Sequence, residues 1–108
     1  MPNYLLFESQ EPFESAEVPR HYELAEGLVR EGNQVTVFLI QNGVLVARRS
    51  VGSDAFARLA HVGVSVLADE VSLKERGIPP SRLADGVKIA TLDQVVDQLA
   101  EGRKALWF

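Results

Sequence analysis

The chain has 108 residues, 46 % of them hydrophobic and 24 % charged, values of an ordinary globular sequence that is far from the composition of disordered chains. Eleven Lys and Arg against fifteen Asp and Glu leave a formal charge of −4, the wrong sign for a domain that lives on phosphate backbones, which argues against nucleic acid as a main partner. There is no cysteine, which removes disulfides, thiolate metal sites, iron–sulfur clusters and every cysteine nucleophile or persulfide carrier.

A chain of this length suits a single domain over 1–108. Its opening residues, Met1 to Ser9, show neither a positive n-region nor an apolar run long enough for a signal peptide or a membrane span, so a cytoplasmic protein without a membrane partner is expected. Asn3 to Phe7 (NYLLF) is a short apolar run closed by Glu8-Ser9-Gln10-Glu11-Pro12, the pattern of a buried strand. From Pro12 to Gly32 the apolar residues Val18, Tyr22, Ala25, Leu28 and Val29 recur at spacings of three and four, and Gly32-Asn33 ends the run. That spacing predicts an amphipathic helix.

Gln34 to Ile40 (QVTVFLI) is β-branched and apolar without alternation, as in a strand covered on both faces. Asn42-Gly43 then allows two readings. It can be a hairpin turn into Val44 to Ala47, or the strand can end at Ile40 and a short helical turn follow, with Arg48 and Arg49 at its far end. Ser53 is placed to cap a helix over 54–61, with Phe56, Leu59 and Ala60 on one side and Gly63 just past its end.

Val64 to Ala68 reads as a third strand. Asp69 follows as a helix N-cap, with Glu70 in the first turn, Val71 and Leu73 inward and Gly77 as the stop. Ser81 to Gly86 is a turn and Val87 to Ala90 a fourth strand, after which Thr91 and Gln94 form a capping box ahead of Leu92, Val95, Val96 and Leu99. Lys104 to Phe108 is a last strand. The alternation predicts an α/β fold, a small flavodoxin-like sandwich with a five-stranded, mostly parallel sheet and helices on both faces.

Ligands of such sheets bind beyond the carboxyl ends of the strands, which selects Glu8 to Glu11, Gln41 to Gly43, Asp69 to Ser72 and Thr91. No glycine-rich phosphate loop is present among them, and no cofactor is expected. His21 and His61, the only imidazoles, read as surface or capping residues, and no metal site is assigned. A Ser9, His21, Asp69 triad lacks the GxSxG elbow and is set aside. Asp69 and Glu70 admit two readings, a carboxyl pair for acid–base work or a cap with its dipole complement. Arg48 and Arg49, being adjacent, are expected to point apart into solvent rather than hold an anion. Trp107 and Phe108 either close the core or meet another subunit.

Phe38-Leu39-Ile40-Gln41-Asn42-Gly43-Val44, then Val64-Ser-Val-Leu-Ala-Asp69-Glu-Val-Ser72-Leu-Lys-Glu-Arg76-Gly77-Ile78, and then Asp85-Gly86-Val87-Lys-Ile-Ala-Thr91-Leu together resemble the DsrE/DsrF-like family, which includes the TusB, TusC and TusD sulfur-relay proteins. The resemblance spans nearly the whole chain and implies the small α/β fold already read from periodicity. It also implies a helical segment, not a hairpin, after Asn42-Gly43. Sulfur-transferring members carry a persulfide cysteine at the end of the third strand, often with a second cysteine three residues on, and those positions are Asp69 and Ser72 here. The resemblance therefore implies a non-catalytic member, a scaffold or partner subunit of sulfur relay, in a homotrimer, a hexamer or a hetero-oligomer with cysteine-bearing paralogues. The alternative is a homo-oligomer that binds a small ligand in a pocket of Glu8, Asn42, Gly43, Asp69, Glu70 and Ser72. An enzyme using Asp69 as general base is a third reading.

Overall fold

The computed structural model describes residues 3–12 and 14–108, with residues 50–53 as backbone alone. The strands are β1 (Asn3–Glu8), β2 (Gln34–Leu39), β3 (Ser65–Asp69), β4 (Val87–Ala90) and β5 (Lys104–Trp107). Between them lie the helices α1 (Val18–Arg30), α2 (Arg49–Val62), α3 (Glu70–Glu75) and α4 (Leu92–Ala100). The sheet order is β4-β3-β2-β1-β5 and every pairing is parallel. The α/β expectation holds, with the sheet wholly rather than mostly parallel.

Because side chains alternate along a strand, the sheet has two interior faces. Leu6, Val35, Val37, Leu39 and Val66 pack on one side with Ala25 of α1, Phe56 and Leu59 of α2 and Leu73 of α3. Leu5, Phe7, Phe38 and Ala90 pack on the other with Val95 of α4. Both faces of β1 and β2 are thus covered, which is why their sequences run apolar without a break. Phe38 is fully buried and meets Phe7 edge to face at 5.9 Å between centroids.

Several element boundaries differ from the sequence expectation, each for a local reason. α1 runs from Val18, the first of the recurring apolar residues, to Arg30, within the expected stretch between Pro12 and Gly32, with Pro19 in its first turn. A helix from Pro12 would have placed Pro19 in the interior, where the missing N–H and the ring clash cost about 3 kcal/mol. α2 begins at Arg49, so Ser53 lies within the helix and Arg48 takes the N-cap position, without a side-chain cap. Gly63, at φ 105°, ends α2 as expected. Val71 faces solvent at 62 % exposure, because the six-residue α3 turns Ser72 and Leu73 inward instead. In α4 only Val95 is buried, whereas Leu92, Val96 and Leu99 remain exposed.

The choice after β2 is settled by the sheet. β2 is flanked by β1 and β3, so no edge is left for a returning hairpin arm, and Gln41–Ala47 instead forms a 3₁₀ segment. This segment lies directly on the end of β1. A Cβ on Gly43 would stand 2.0 Å from the Glu8 carbonyl oxygen, a backbone atom that cannot swing aside, so only glycine fits. Gly43→Ala is expected to lower the unfolding free energy by at least about 1–3 kcal/mol, the usual penalty for overpacking, and urea denaturation monitored by circular dichroism measures it.

Candidate functional site

The carboxyl ends of β1, β2 and β3 carry two separate groups of polar side chains. The first is built on Glu8, the last residue of β1, which is only 1 % exposed. Its main-chain carbonyl accepts the Ile40 N–H at 3.0 Å, tying β1 to the end of β2. Its carboxylate points toward α1, where Oε2 lies 2.5 Å from His21 Nδ1, and Oε1 accepts the Gln10 N–H at 3.3 Å. His21 reaches it because it sits one turn after Val18 on the inward side of α1.

The imidazole is clamped from its other side as well. The His21 ring stacks on the Phe108 ring with centroids 4.0 Å apart and planes 14° from parallel. Phe108 is itself fixed by main-chain bonds: its N–H donates to Phe7 O at 2.8 Å, and its oxygen accepts from Ser9 N–H and Ser9 Oγ, the latter at 2.6 Å. Ser9 Oγ is therefore already engaged, and Asp69 lies in the other group, so the paper triad of Ser9, His21 and Asp69 is not assembled.

Burial raises the Glu8 carboxyl above its ordinary value, against the hydrogen bond and charge of His21 and the Gln10 N–H, which lower it. Burial also pushes the neighbouring Tyr22 hydroxyl far up, and the charges of Glu8 and Glu11 add to that. The Tyr22 hydroxyl is buried and meets no hydrogen-bond partner among the described residues. When Nδ1 of His21 carries the proton, the Glu8 carboxylate fixes that tautomer and leaves Nε2 as the acceptor nitrogen.

The second group lies at β3. Asp69 Oδ2 accepts the Ser72 N–H at 2.9 Å and the Ser72 hydroxyl at 2.7 Å, so Asp69 is the N-cap of α3. Ser72 Oγ in turn accepts the Gln41 N–H at 2.9 Å. Gln41 holds φ 54° to make that contact, the sole non-glycine residue with positive φ among those described. Asn42 Oδ1 accepts from Arg76 Nε and Nη2 at 3.3 and 3.0 Å, and Arg76 Nη1 donates to the Ser72 carbonyl. The network locks the 3₁₀ segment onto α3.

Of the residues singled out in the sequence, Glu8 and Gly43 touch through the backbone, and Asn42, Asp69 and Ser72 share one network through Gln41 and Arg76. Glu70 stands apart, paired with Lys74 on the surface at 3.0 Å. No hydrogen bond among the described residues joins the Glu8 group to the Asp69 group. Grooves of about 310–380 Å³ open elsewhere, one between α1 and α2 and others beside β3, α4 and the α3–β4 connection. No cluster of three acidic or imidazole side chains able to hold a metal occurs among the described residues.

His21 is the residue that sequence reasoning missed. Its signal was its place on the apolar stripe of α1, one turn from Val18 and next to Tyr22, which directs it at the sheet where a strand-terminal acid needs a partner.

Because the folded-state value of Glu8 lies above the unfolded one, its contribution to stability is fully present below the ordinary Glu value of about 4.3 and is lost as pH rises through the raised folded value. The wild type is therefore expected to lose stability relative to Glu8→Gln as pH rises above the ordinary Glu value of about 4.3. Urea denaturation of both proteins at stepped pH reads this directly, and a gap moving in the wild type's favour would mean that the His21 charge outweighs burial.

The same fold occurs in solved structures. The chain superposes on the ychN protein of E. coli with a TM-score of 0.89 and 22 % identity, covering all of both chains. A protein of unknown function, MTH1491 of Methanobacterium thermoautotrophicum, gives 0.84 and 22 % over 98 % of this chain and 99 % of that one. The conserved protein of unknown function BT1422 of Bacteroides thetaiotaomicron gives 0.77 and 15 % over 98 % and 95 %. No curated protein matches the chain. The model of the DsrE/DsrF-like family matches residues 3–108, and the chain belongs to that family.

Proposed function

We propose that the protein is a non-catalytic DsrE-like subunit, an oligomeric scaffold or partner in cytoplasmic sulfur relay that carries no persulfide itself. The observation behind this reading is the closed bond set at the end of β3. Where the resemblance puts the sulfur-carrying cysteine, Asp69 spends one carboxylate oxygen on the Ser72 N–H and hydroxyl, and the chain has no cysteine to take over the role. A carboxylate engaged in capping has no chemistry for accepting sulfur.

Assembly is supported by the surface. β5 is an edge strand with all four residues exposed, and Trp107 stands 60 % exposed while stacking on Phe7 at 4.8 Å. Leu92, Val96 and Leu99 follow at helical spacing on the outer side of α4. An open edge and apolar side chains of this size are what subunit contacts cover. The ligand-binding alternative would use Glu8, Asn42, Asp69 and Ser72, which line none of the four grooves described above.

Native mass spectrometry of the tagged protein drawn from its own host is expected to show a mixed complex with a cysteine-bearing paralogue. A clean monomer would remove the assembly reading, and a homotrimer or homohexamer alone would shift the weight from partner subunit to scaffold or ligand binder. Asp69→Ala is expected to lower the unfolding free energy by about 0.5–2 kcal/mol, the loss of a helix cap, and to leave the subunit composition unchanged by the same mass spectrum.

A further inference from the structure

The chain contains eight arginines. Arg20, Arg30, Arg58, Arg76 and Arg103 each bond to another side chain: Glu17, Glu26, Glu26, Asn42 and Thr36 respectively. The remaining three are Arg48, Arg49 and Arg82. Among the described residues they reach no side chain, and together with Ser81 they line one groove of about 350 Å³. Asp54 and Asp85, the nearest acids in sequence, pair with none of them among the described residues.

The groove is made by two segments distant in sequence, the junction of the 3₁₀ segment with α2 and the turn Pro80–Arg82 before β4. They are stapled by an antiparallel bridge between Arg48 and Leu83 and by the Ala84 N–H, which donates to Ala47 O at 2.7 Å. Arg48 Nε donates to Leu45 O at 2.8 Å, which orients that guanidinium and leaves its two terminal nitrogens open. Arg48 and Arg49 are both exposed, as expected from the sequence, and both border this groove. α2, fourteen residues long and without a side-chain cap at Arg48, begins at the same place, so its positive end adds to the potential.

Three guanidinium groups without counter-charges among the described residues, in a chain of net charge −4, are a local reversal of sign that repulsion opposes unless an anion is bound there. Guanidinium groups match tetrahedral oxyanions through paired N–H donors, and the volume lies within the range of small-molecule sites. We infer that Arg48, Arg49, Ser81 and Arg82 form a binding site for a small molecule carrying a phosphate- or sulfate-type group with two or more negative charges. The arginines and Ser81, which line the groove, hold the oxyanion. The site is independent of the β3 carboxyl end and of the sulfur-relay reading.

The test is a titration of the full chain with pyrophosphate and, in parallel, with sulfate, each followed by amide chemical shifts at constant ionic strength. Saturable shifts confined to the start of α2 and to Ser81 to Ala84 are expected, and the double variant Arg49→Gln/Arg82→Gln is expected to weaken binding at least tenfold. Its melting temperature without ligand should equal or exceed that of the wild type, since both side chains are exposed and their mutual repulsion is removed. Which probe binds more tightly separates a phosphate ligand from a sulfur oxyanion. Shifts reproduced by chloride, shifts spread over the whole surface, or binding that survives in the double variant would each overturn the assignment.

Discussion

The structure is organised around the need to keep one buried carboxylate satisfied. Glu8 ends β1 in a sheet whose neighbouring interior is apolar, and an unpaired charge there would cost several kcal/mol. Its carbonyl is bound by Ile40 and packed by Gly43, its carboxylate is held by His21 of α1, and His21 rests on the ring that follows β5. The connections leaving β1 and β2 and the strand on the far side of β1 all converge on this residue. A residue kept in that position against its desolvation is a point where structure and proton chemistry meet.

Beside it, the Asp69 group serves the neighbouring connection by a different route. Here no charge is stranded, because Ser72 and the cap geometry take up the carboxylate, and Gln41 adopts an unfavourable backbone angle to deliver its N–H to Ser72. The two groups hold the 3₁₀ segment from opposite sides, Glu8 beneath Gly43 and Ser72 beside Gln41. The segment cannot move without disturbing both.

Much of this was legible in the residues. The unbroken apolar run of β2, the Asp69 cap, the Thr91 and Gln94 capping box and Gly63 as a helix stop follow from local rules, and the structure contains each of them. What local rules could not carry were the long-range meetings. His21 finds Glu8 only because α1 folds back along β1, and Arg82 joins Arg48 and Arg49 only through the staple at Leu83. The exposure of the α4 stripe was not legible, because periodicity counts apolar residues and not the area of sheet available to cover them. Pro19 is a further local signal, a marker of the first turn of α1 within the stretch from Pro12 to Gly32.

The position of β5 also bears on how the chain reaches this structure. β1 to β4 lie side by side in sequence order, so each new strand can dock on the one before it through a short crossover. β5 instead pairs with β1, Tyr4 beside Lys104, across nearly the whole chain. That pairing has the largest loop-closure entropy in the sheet, and contacts of such separation form late. Until then the outer edge of β1 lies open, and the ring of Phe108 is not yet in place against His21. The Glu8 environment is therefore completed by the strand pairing with the longest sequence separation in the sheet.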